Sequence, residues 1–153
     1  MNFRHFAGLA VVAALMGAPA FAQDVGTPAE AQALSAKALD HLGKAGAASA
    51  FKDFSDPKGA YVDRDLYVFC LDAEGIVTAH GGNPALVGKS LKAVKDSDGK
   101  EFVAEMLKVG AGAGTGWVDY KWANPTTKKI EAKSSYVSKV ADGGVCGVGV
   151  YKK

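Results

Sequence analysis

Three segments near the end of the 153-residue chain constrain its fold most, because only short turns join them. The segments are rich in β-branched and aromatic residues and cover positions 116–122, 130–140 and 144–151. The turns at 124–126 and 142–144 contain Pro or Gly and are too short for the crossover that parallel neighbours require. The three segments therefore predict an antiparallel meander.

A strand pair and two helical regions precede this meander. The segment DLYVFCL at 65–71 alternates, and the turn DAEG joins it to a second strand at 76–80. The pattern TPAE at 27–30 predicts a capped helix that runs to about residue 54, with a kink or break near Gly43 and Gly46. A further helix is predicted over 100–109, between strands two and three. The sum is an α+β fold, in which helices cover a five-stranded antiparallel sheet on one or both faces.

The N-terminus has the pattern of a secretory signal peptide. A basic start that contains Arg4 leads into an apolar run at 6–16, and Ala20-Phe21-Ala22 forms an A-x-A end. The run is shorter than the roughly 20 apolar residues of a membrane span, and an uncleaved anchor is the alternative. We predict a signal peptide at 1–22 and one mature domain at 23–153 that is periplasmic or secreted. No later segment is apolar enough to predict a transmembrane span.

Charge and cysteine content exclude several classes of function. The 18 basic and 16 acidic residues are mixed along the chain, without the clustered basic stripe of a nucleic-acid-binding protein. Cys70 and Cys146 lie too far apart for a C-x-x-C redox or haem motif. In an oxidising compartment they form either a disulfide or two buried thiols. With His41 and His80 they are too few, and too irregularly spaced, to predict a zinc site, so we expect no metal and no cofactor.

Six short motifs follow one another from Asp65 to the C-terminus: DLYVFCLDAEGIVTAHGGNP, VGKSL, DSDGKEF, GWVDYKWANP, KSSY and GVGVYKK. In this order they resemble the extracytoplasmic single-Cache sensor domains, which are PAS-like domains of bacterial chemoreceptors and histidine kinases. The long N-terminal helix is similar to theirs as well. Because the sequence stops at Lys152-Lys153, without an output module, it resembles a free-standing secreted member of the family.

The resemblance implies a PAS-like five-stranded sheet with a helical connection between strands two and three, and a ligand pocket between that connection and the sheet. It implies a small anionic ligand, such as a short organic carboxylate. A membrane histidine kinase, chemoreceptor or transporter is the implied partner. In the PAS-like strand order the first and last strands are central neighbours, which implies that Cys70 lies opposite Cys146.

Two aromatic residues of the third strand are candidates for the pocket wall. The uncharged, and therefore inner, face of this strand contains Gly116, Val118, Tyr120 and Trp122. The rings of Tyr120 and Trp122 either form an apolar wall with hydrogen-bonding tips or simply pack as core. Trp117 shares the opposite face with Asp119 and Lys121, so we expect it to cover the outer surface.

Two polar candidates lie in the fourth strand. The ammonium of Lys133 can pair with a carboxylate, and the hydroxyl of Tyr136 can donate to the second oxygen. Strict alternation places these two residues on opposite faces. Either a bulge at 134–135 turns both inward, or only one of them reaches the pocket. A solvated strand lysine is the alternative for Lys133.

His80 is the remaining candidate, at the end of the second strand. It is expected to donate to an anion, with a charge that varies near neutral pH, or else to be an exposed loop histidine. The leading hypothesis is a sensor domain that binds its ligand through His80, Tyr120, Trp122, Lys133 and Tyr136. The alternative is a ligand-free interaction module. We predict no enzyme activity, because the mature chain has no G-x-S-x-G elbow and no paired Cys/His arrangement.

Overall fold

The structure is a computed structural model that describes residues 24–152, so the predicted signal peptide lies outside the described residues. The helices are α1 (Pro28–Ala45), α2 (Ala47–Phe54) and α3 (Phe102–Ala111). The strands are β1 (Val62–Asp63), β2 (Leu66–Leu71), β3 (Val77–His80), β4 (Thr115–Ala123), β5 (Ile130–Lys139) and β6 (Val145–Tyr151). Within residues 24–152, no helix is both long and apolar enough to cross a membrane.

The N-terminal helix begins and breaks where the sequence predicts. The hydroxyl of Thr27 accepts a hydrogen bond from the Glu30 amide, and the Glu30 carboxylate accepts one from the Thr27 amide at 2.8 Å. This capping box satisfies two amides that the first helical turn cannot pair internally. The predicted break is confirmed at Gly46, which separates α1 from α2.

The sheet has the strand order β1-β2-β6-β5-β4, and β3 also pairs with β2. Every pair of neighbouring strands is antiparallel. The five predicted strands are confirmed, and the structure adds the two-residue strand β1. Because β2 lies beside β6, the first and last long strands are central, as in a PAS-like fold. Cys70 and Cys146 are register partners there and form a disulfide.

Each face of the sheet has its own core. On the outer face, α1 and α2 cover a cluster that includes Phe54, Val68, Val148 and the disulfide. On the inner face, α3 covers a second cluster that is rich in aromatic residues, among them Tyr67, Phe69, Phe102, Tyr120 and Tyr151. The sheet is therefore the middle of three layers.

The connection between β3 and α3 folds back along the sheet edge. The amide of Val77 donates to the Lys89 carbonyl at 2.9 Å, and the amide of Leu91 donates to the Gly75 carbonyl at the same distance. These bonds hold the connection beside β3 and close one side of the inner face.

Loss of the disulfide should destabilise the domain without unfolding it. The bond links residues 76 positions apart, so Cys70→Ala with Cys146→Ala is expected to lower the free energy of unfolding by about 4 kcal/mol. Urea denaturation of the oxidised protein and the double variant, followed by circular dichroism, measures the difference. An unchanged denaturation midpoint would contradict this expectation.

Candidate functional site

Lys133 is the centre of the candidate site. It lies in the middle of the sheet, between its register partners Tyr120 on β4 and Tyr151 on β6, and only 1% of its surface is exposed. Lysine is almost never buried to this extent without a partner. Gly149 on β6 makes room for it, because a side chain at that position would overlap the Lys133 Cε atom. The solvated strand lysine that the sequence left as an alternative is thereby excluded.

Aromatic rings surround the Lys133 ammonium. Its Nζ donates a hydrogen bond to the Tyr67 hydroxyl at 2.7 Å. The ring centres of Tyr67 and Tyr151 lie 4.0 and 4.8 Å from Nζ, and those of Phe69 and Tyr120 lie 5.8 and 6.0 Å away. Such rings attract a cation through their electron-rich faces. None of the ion pairs formed within residues 24–152 includes Lys133.

Hydroxyl groups extend this arrangement into a short network. The hydroxyls of Tyr67 and Tyr151 are 3.3 Å apart, and Tyr151 donates to the Ala123 carbonyl at 2.7 Å. The Tyr120 hydroxyl lies 3.0 Å from Ser135 Oγ. The network thus contains one ammonium and three phenol groups within a single compartment.

Burial sets the charges of this compartment. It lowers the pKa of Lys133 to about 7, against the opposing effect of the Asp65 carboxylate. Burial also raises the pKa of Tyr67 and of Tyr120 well above the usual value, so both keep their hydroxyl protons. The site therefore offers phenol donors beside an ammonium whose charge changes near neutral pH.

His80 is buried at the end of β3, with 5% of its surface exposed, and is not an exposed loop histidine. Its ring centre is 4.9 Å from that of Tyr67. Its Nδ1 accepts a hydrogen bond from the Asn83 amide at 2.9 Å, so in the neutral ring the proton sits on Nε2. Burial, followed by the charge of Lys133, lowers the His80 pKa to about 3. The expectation that its charge varies near neutral pH is wrong, because the ring is neutral there and carries its proton on Nε2.

The aromatic wall lies on the face that alternation predicts. Tyr120 stacks on Phe102 with ring centres 4.6 Å apart, and Trp122 meets the same ring edge-on at 5.4 Å. Trp117 lies on the other face and is 38% exposed. Only the second tryptophan of the segment therefore contributes to the site.

The structure does not bring Tyr136 to the site, in contrast to the prediction. The pairing of β5 with β4 is continuous from Ile130 to Ser138, so no bulge reverses the alternation. Tyr136 consequently lies on the outer face, where its ring centre is 5.3 Å from that of Trp117. Of the five predicted ligand residues, the structure brings together His80, Tyr120, Trp122 and Lys133.

Two cavities meet at His80 and Trp122. An open cleft of about 380 Å³ is lined by residues that include Tyr67, His80, Trp122, Asn124 and Lys128. A deeper chamber of about 20 Å³, enough for about one water molecule, is lined by apolar residues with His80 and Trp122 at one side. Because both cavities share His80 and Trp122, these two side chains separate the mouth from the interior.

Sequence reasoning missed three residues of the site, namely Tyr67, Tyr151 and Gly149. Their signal is in the strand pairing, because Tyr151 is the register partner of Lys133. Gly82, beside His80, packs against Tyr67 so closely that an added Cβ would lie 2.7 Å from the ring. Local pattern alone assigns no partner to any of them.

Metal binding has no support in the described part of the chain. Within residues 24–152, no group of three or more His, Cys, Asp or Glu side chains is placed to hold a metal ion. The carboxylate of Asp96 accepts hydrogen bonds from the backbone amides of Asp98, Lys100 and Lys121. Both of its oxygens therefore already stabilise the local backbone.

A PAS-like sheet with a buried cation beneath a cleft is the architecture of an extracytoplasmic sensor domain. The family profile described as Single Cache domain 2 matches residues 13–153. The chain therefore belongs to the single Cache domain 2 family, as its sequence motifs predict.

Two curated relatives are signalling receptors. The methyl-accepting chemotaxis protein McpP of Pseudomonas putida is 32% identical over 90 residues, which are 58% of this chain and 16% of McpP. The sensor histidine kinase MctS of Rhizobium johnstonii is 34% identical over 89 residues, 58% of this chain and 19% of MctS. The chain thus spans less than a fifth of the length of either relative.

Solved structures agree with the fold. A methyl-accepting chemotaxis protein of Vibrio parahaemolyticus covers 80% of this chain with a TM-score of 0.69 and 23% identity, over 86% of its own length. A Cache chemosensory domain, whose structure is described as showing carboxylic acid recognition, covers 82% of this chain and 88% of its own length. Its TM-score is 0.64 and its identity is 25%.

Removing the buried charge should stabilise the domain. The pKa of Lys133 falls from 10.5 in the unfolded chain to about 7 in the fold, so the unfolded state binds more protons between these pH values. Stability therefore rises with pH across this window, and the charged lysine costs most below it. Lys133→Met is expected to raise the free energy of unfolding by about 1–4 kcal/mol at pH 6, and by less towards pH 10.

Urea denaturation at several pH values measures this gain. The matched control is Lys139→Met, on the same strand but exposed, which should change stability little at any pH. A Lys133→Met variant that is less stable than the natural protein at pH 6 would contradict the expectation.

Proposed function

We propose that this protein is a periplasmic sensor domain that binds a short organic carboxylate at Lys133. The observation that carries the proposal is a fully buried ammonium with no carboxylate partner in the described chain. An unpaired buried charge costs several kcal/mol, so its presence on an inner core face favours an anion from outside the protein. The family supports the same class of function, since Cache domains are ligand-binding signalling modules.

The groups around Lys133 are suited to hold a carboxylate. One oxygen would accept from Nζ, and the hydroxyl of Tyr67 and the Nε2–H of His80 can donate to the remaining lone pairs, since the Tyr151 proton is already donated to the Ala123 carbonyl. The carbon chain would lie against Phe69 and the other apolar residues of the inner chamber. Because that chamber is small, the proposal favours acids of two or three carbons.

Entry of the acid requires movement at the partition between cleft and chamber. Trp122 is half-buried and lies across the mouth, with its ring centre 6.4 Å from that of His80. An acid larger than one water molecule would displace this side chain outward. Such a displacement would carry the presence of ligand to the surface around Asn124 and Lys128, which line the same cleft.

The partner and the compartment are also part of the proposal. Two curated relatives are a chemoreceptor and a histidine kinase. One similar solved structure is the periplasmic sensor domain of a chemotaxis protein, with 25% identity and a TM-score of 0.65. The match covers 82% of this chain and 90% of that domain. These relations support signalling through a membrane kinase or chemoreceptor. The mature domain at 23–153 and a transporter as an alternative partner are parts of the proposal that come from the sequence. We assign it no catalytic role.

A ligand-free interaction module is the second candidate function. The observation in its favour is the inner chamber of about 20 Å³, which is nearly filled in the structure. In that case Lys133 would serve only as a polar element of the core, and no small acid would stabilise the protein.

Short carboxylates should bind and stabilise the natural protein. A thermal-shift screen of formate, acetate, propionate, lactate, pyruvate and butyrate, with the matching primary alcohols as uncharged controls, is expected to raise Tm for acids only. Because Lys133 supplies the cation, Lys133→Met should abolish the shift, whereas Lys139→Met should retain it. A shift that survives in Lys133→Met would place the binding site elsewhere. No shift with any acid would favour the interaction module.

Acid binding should weaken as pH rises through neutrality. Only the protonated form of Lys133 attracts the carboxylate, and its pKa in the free protein is about 7. Affinity is therefore expected to be nearly constant from pH 5.5 to 6.5 and to fall about tenfold per pH unit above pH 7. The titratable groups that face Lys133 are Asp65, Tyr67, His80, Tyr120 and Tyr151. The pKa of His80 is too low, and those of the tyrosines too high, to titrate in this range.

Calorimetry in buffers of different ionisation enthalpy measures the accompanying proton. At pH 8 the complex should take up close to one proton per acid bound, and at pH 6 close to none. Affinity that is independent of pH between 6 and 9 would contradict an ion pair at Lys133.

A further inference from the structure

Asp65 is a second buried charge beside the candidate site. Its side chain is fully buried, and it lies directly before β2, two residues from Tyr67. Its Oδ1 accepts a hydrogen bond from the Gly26 amide at 2.6 Å. Its Oδ2 is buried and has no hydrogen-bond partner among residues 24–152. A buried carboxylate oxygen in this situation needs an explanation beyond local packing.

The charge of Asp65 acts on the site without touching it. The carboxylate raises the pKa of Lys133, in opposition to the lowering by burial. It also contributes to the raised pKa of Tyr67 and Tyr151. Asp65 forms no ion pair with Lys133, so its charge acts through space on the ammonium and on the Tyr67 hydroxyl to which the ammonium is bonded.

The same carboxylate holds the start of α1. Gly26 directly precedes the capping residue of that helix, and the neighbouring Arg64 donates to the Val25 carbonyl at 3.2 Å and to the Glu30 carboxylate at 2.8 Å. Leu66 packs so closely beneath Gly26 that a side chain there would overlap it. Arg64, Asp65 and Leu66 therefore hold the N-terminal end of α1 against the sheet.

We propose that Asp65 is the resident counter-charge of Lys133 and that a bound carboxylate takes over this role, which loosens the Asp65–Gly26 contact at the start of α1. The exchange step rests on the proposed function, whereas the counter-charge role does not. Asp65 is a positioning residue, since it acts on the ligand through Lys133 and Tyr67. When an acid occupies the site, its negative charge repels the Asp65 carboxylate inside the low-dielectric core.

Reciprocity follows from this repulsion. A bound acid and an intact Asp65–Gly26 contact each weaken the other by the same free energy. Removal of the Asp65 charge removes its repulsion of the acid and is therefore expected to strengthen binding of the acid to protonated Lys133. The site and the first turn of α1 are thus coupled through one side chain. Loss of the Asp65 charge is therefore expected to strengthen ligand binding, whereas loss of a residue that only supports the fold would weaken it.

The counter-charge role is tested without ligand. The Cε and Nζ signals of Lys133, assigned by their loss in Lys133→Met, are titrated by NMR in the natural protein, Asp65→Asn and Asp63→Asn. Asparagine keeps the Oδ1 acceptor for the Gly26 amide, and Asp63 is an exposed carboxylate two positions away. The Lys133 titration should shift to lower pH in Asp65→Asn and stay unchanged in Asp63→Asn. Equal titrations in all three proteins would overturn the proposal.

The exchange step is tested with propionate and acetate by calorimetry at pH 6, and each measured affinity is divided by the protonated fraction of Lys133 that the NMR titration gives for that protein, because Asp65→Asn lowers the Lys133 pKa. Asp65→Asn is expected to bind on the order of tenfold more tightly than the natural protein, and Asp63→Asn equally well. Weaker binding by a folded Asp65→Asn would overturn the exchange. If neither acid binds the natural protein, the proposed ligand class and the exchange step fail together, while the titration still decides the counter-charge role.

A measurement on the natural protein covers the case in which Asp65→Asn does not fold. Hydrogen exchange of the Gly26 amide is followed with and without saturating propionate. Faster exchange with ligand is expected at Gly26, and unchanged exchange at the Gly46 amide, which bonds to Leu42 at the other end of α1. Unchanged or slower exchange at Gly26 would overturn the link between the site and the helix.

Discussion

The placement of one ammonium inside an aromatic compartment is the constraint on which the rest of the inner face depends. Lys133 reaches this position because Gly149 on the adjacent strand leaves space for its side chain. The rings of Tyr67 and Tyr151 then replace part of the water that the ammonium loses. A cation held in this way lowers the stability of the empty domain, and in the proposed function the same cation is the group that binds the carboxylate.

The two faces of the sheet differ in the side chains that form their cores. On the outer face, small residues of α1 such as Ala31 and Ala38 pack on aliphatic side chains and on the disulfide. On the inner face, phenol groups, an imidazole and an ammonium share a compartment with an apolar chamber. The apolar packing of the outer core can therefore offset the free-energy cost of the charge that is buried on the inner face of the same strands.

Sequence reasoning found the elements of this fold where local chemistry determines them. The capping residues at 27–30 predict the start of α1, and alternation separates Trp117 from Trp122 and Lys133 from Tyr136. The central position of β2 beside β6 came instead from the family resemblance, because pairing between distant segments leaves no local pattern. For the same reason Tyr67 and Gly149 were missed. The low pKa of His80 was missed because it depends on burial and on the charge of Lys133.

The disulfide has a mechanical consequence for a domain that transmits a signal. Cys70 and Cys146 fasten the two central strands together near the ends that lie away from Leu66 and Tyr151. Sliding of β2 along β6 is blocked, and a slip by one residue would turn every inner side chain outward. The cross-link therefore fixes the register of β2 and β6 at one end of the pair, and the candidate link between Asp65 and the start of α1 lies at the other end.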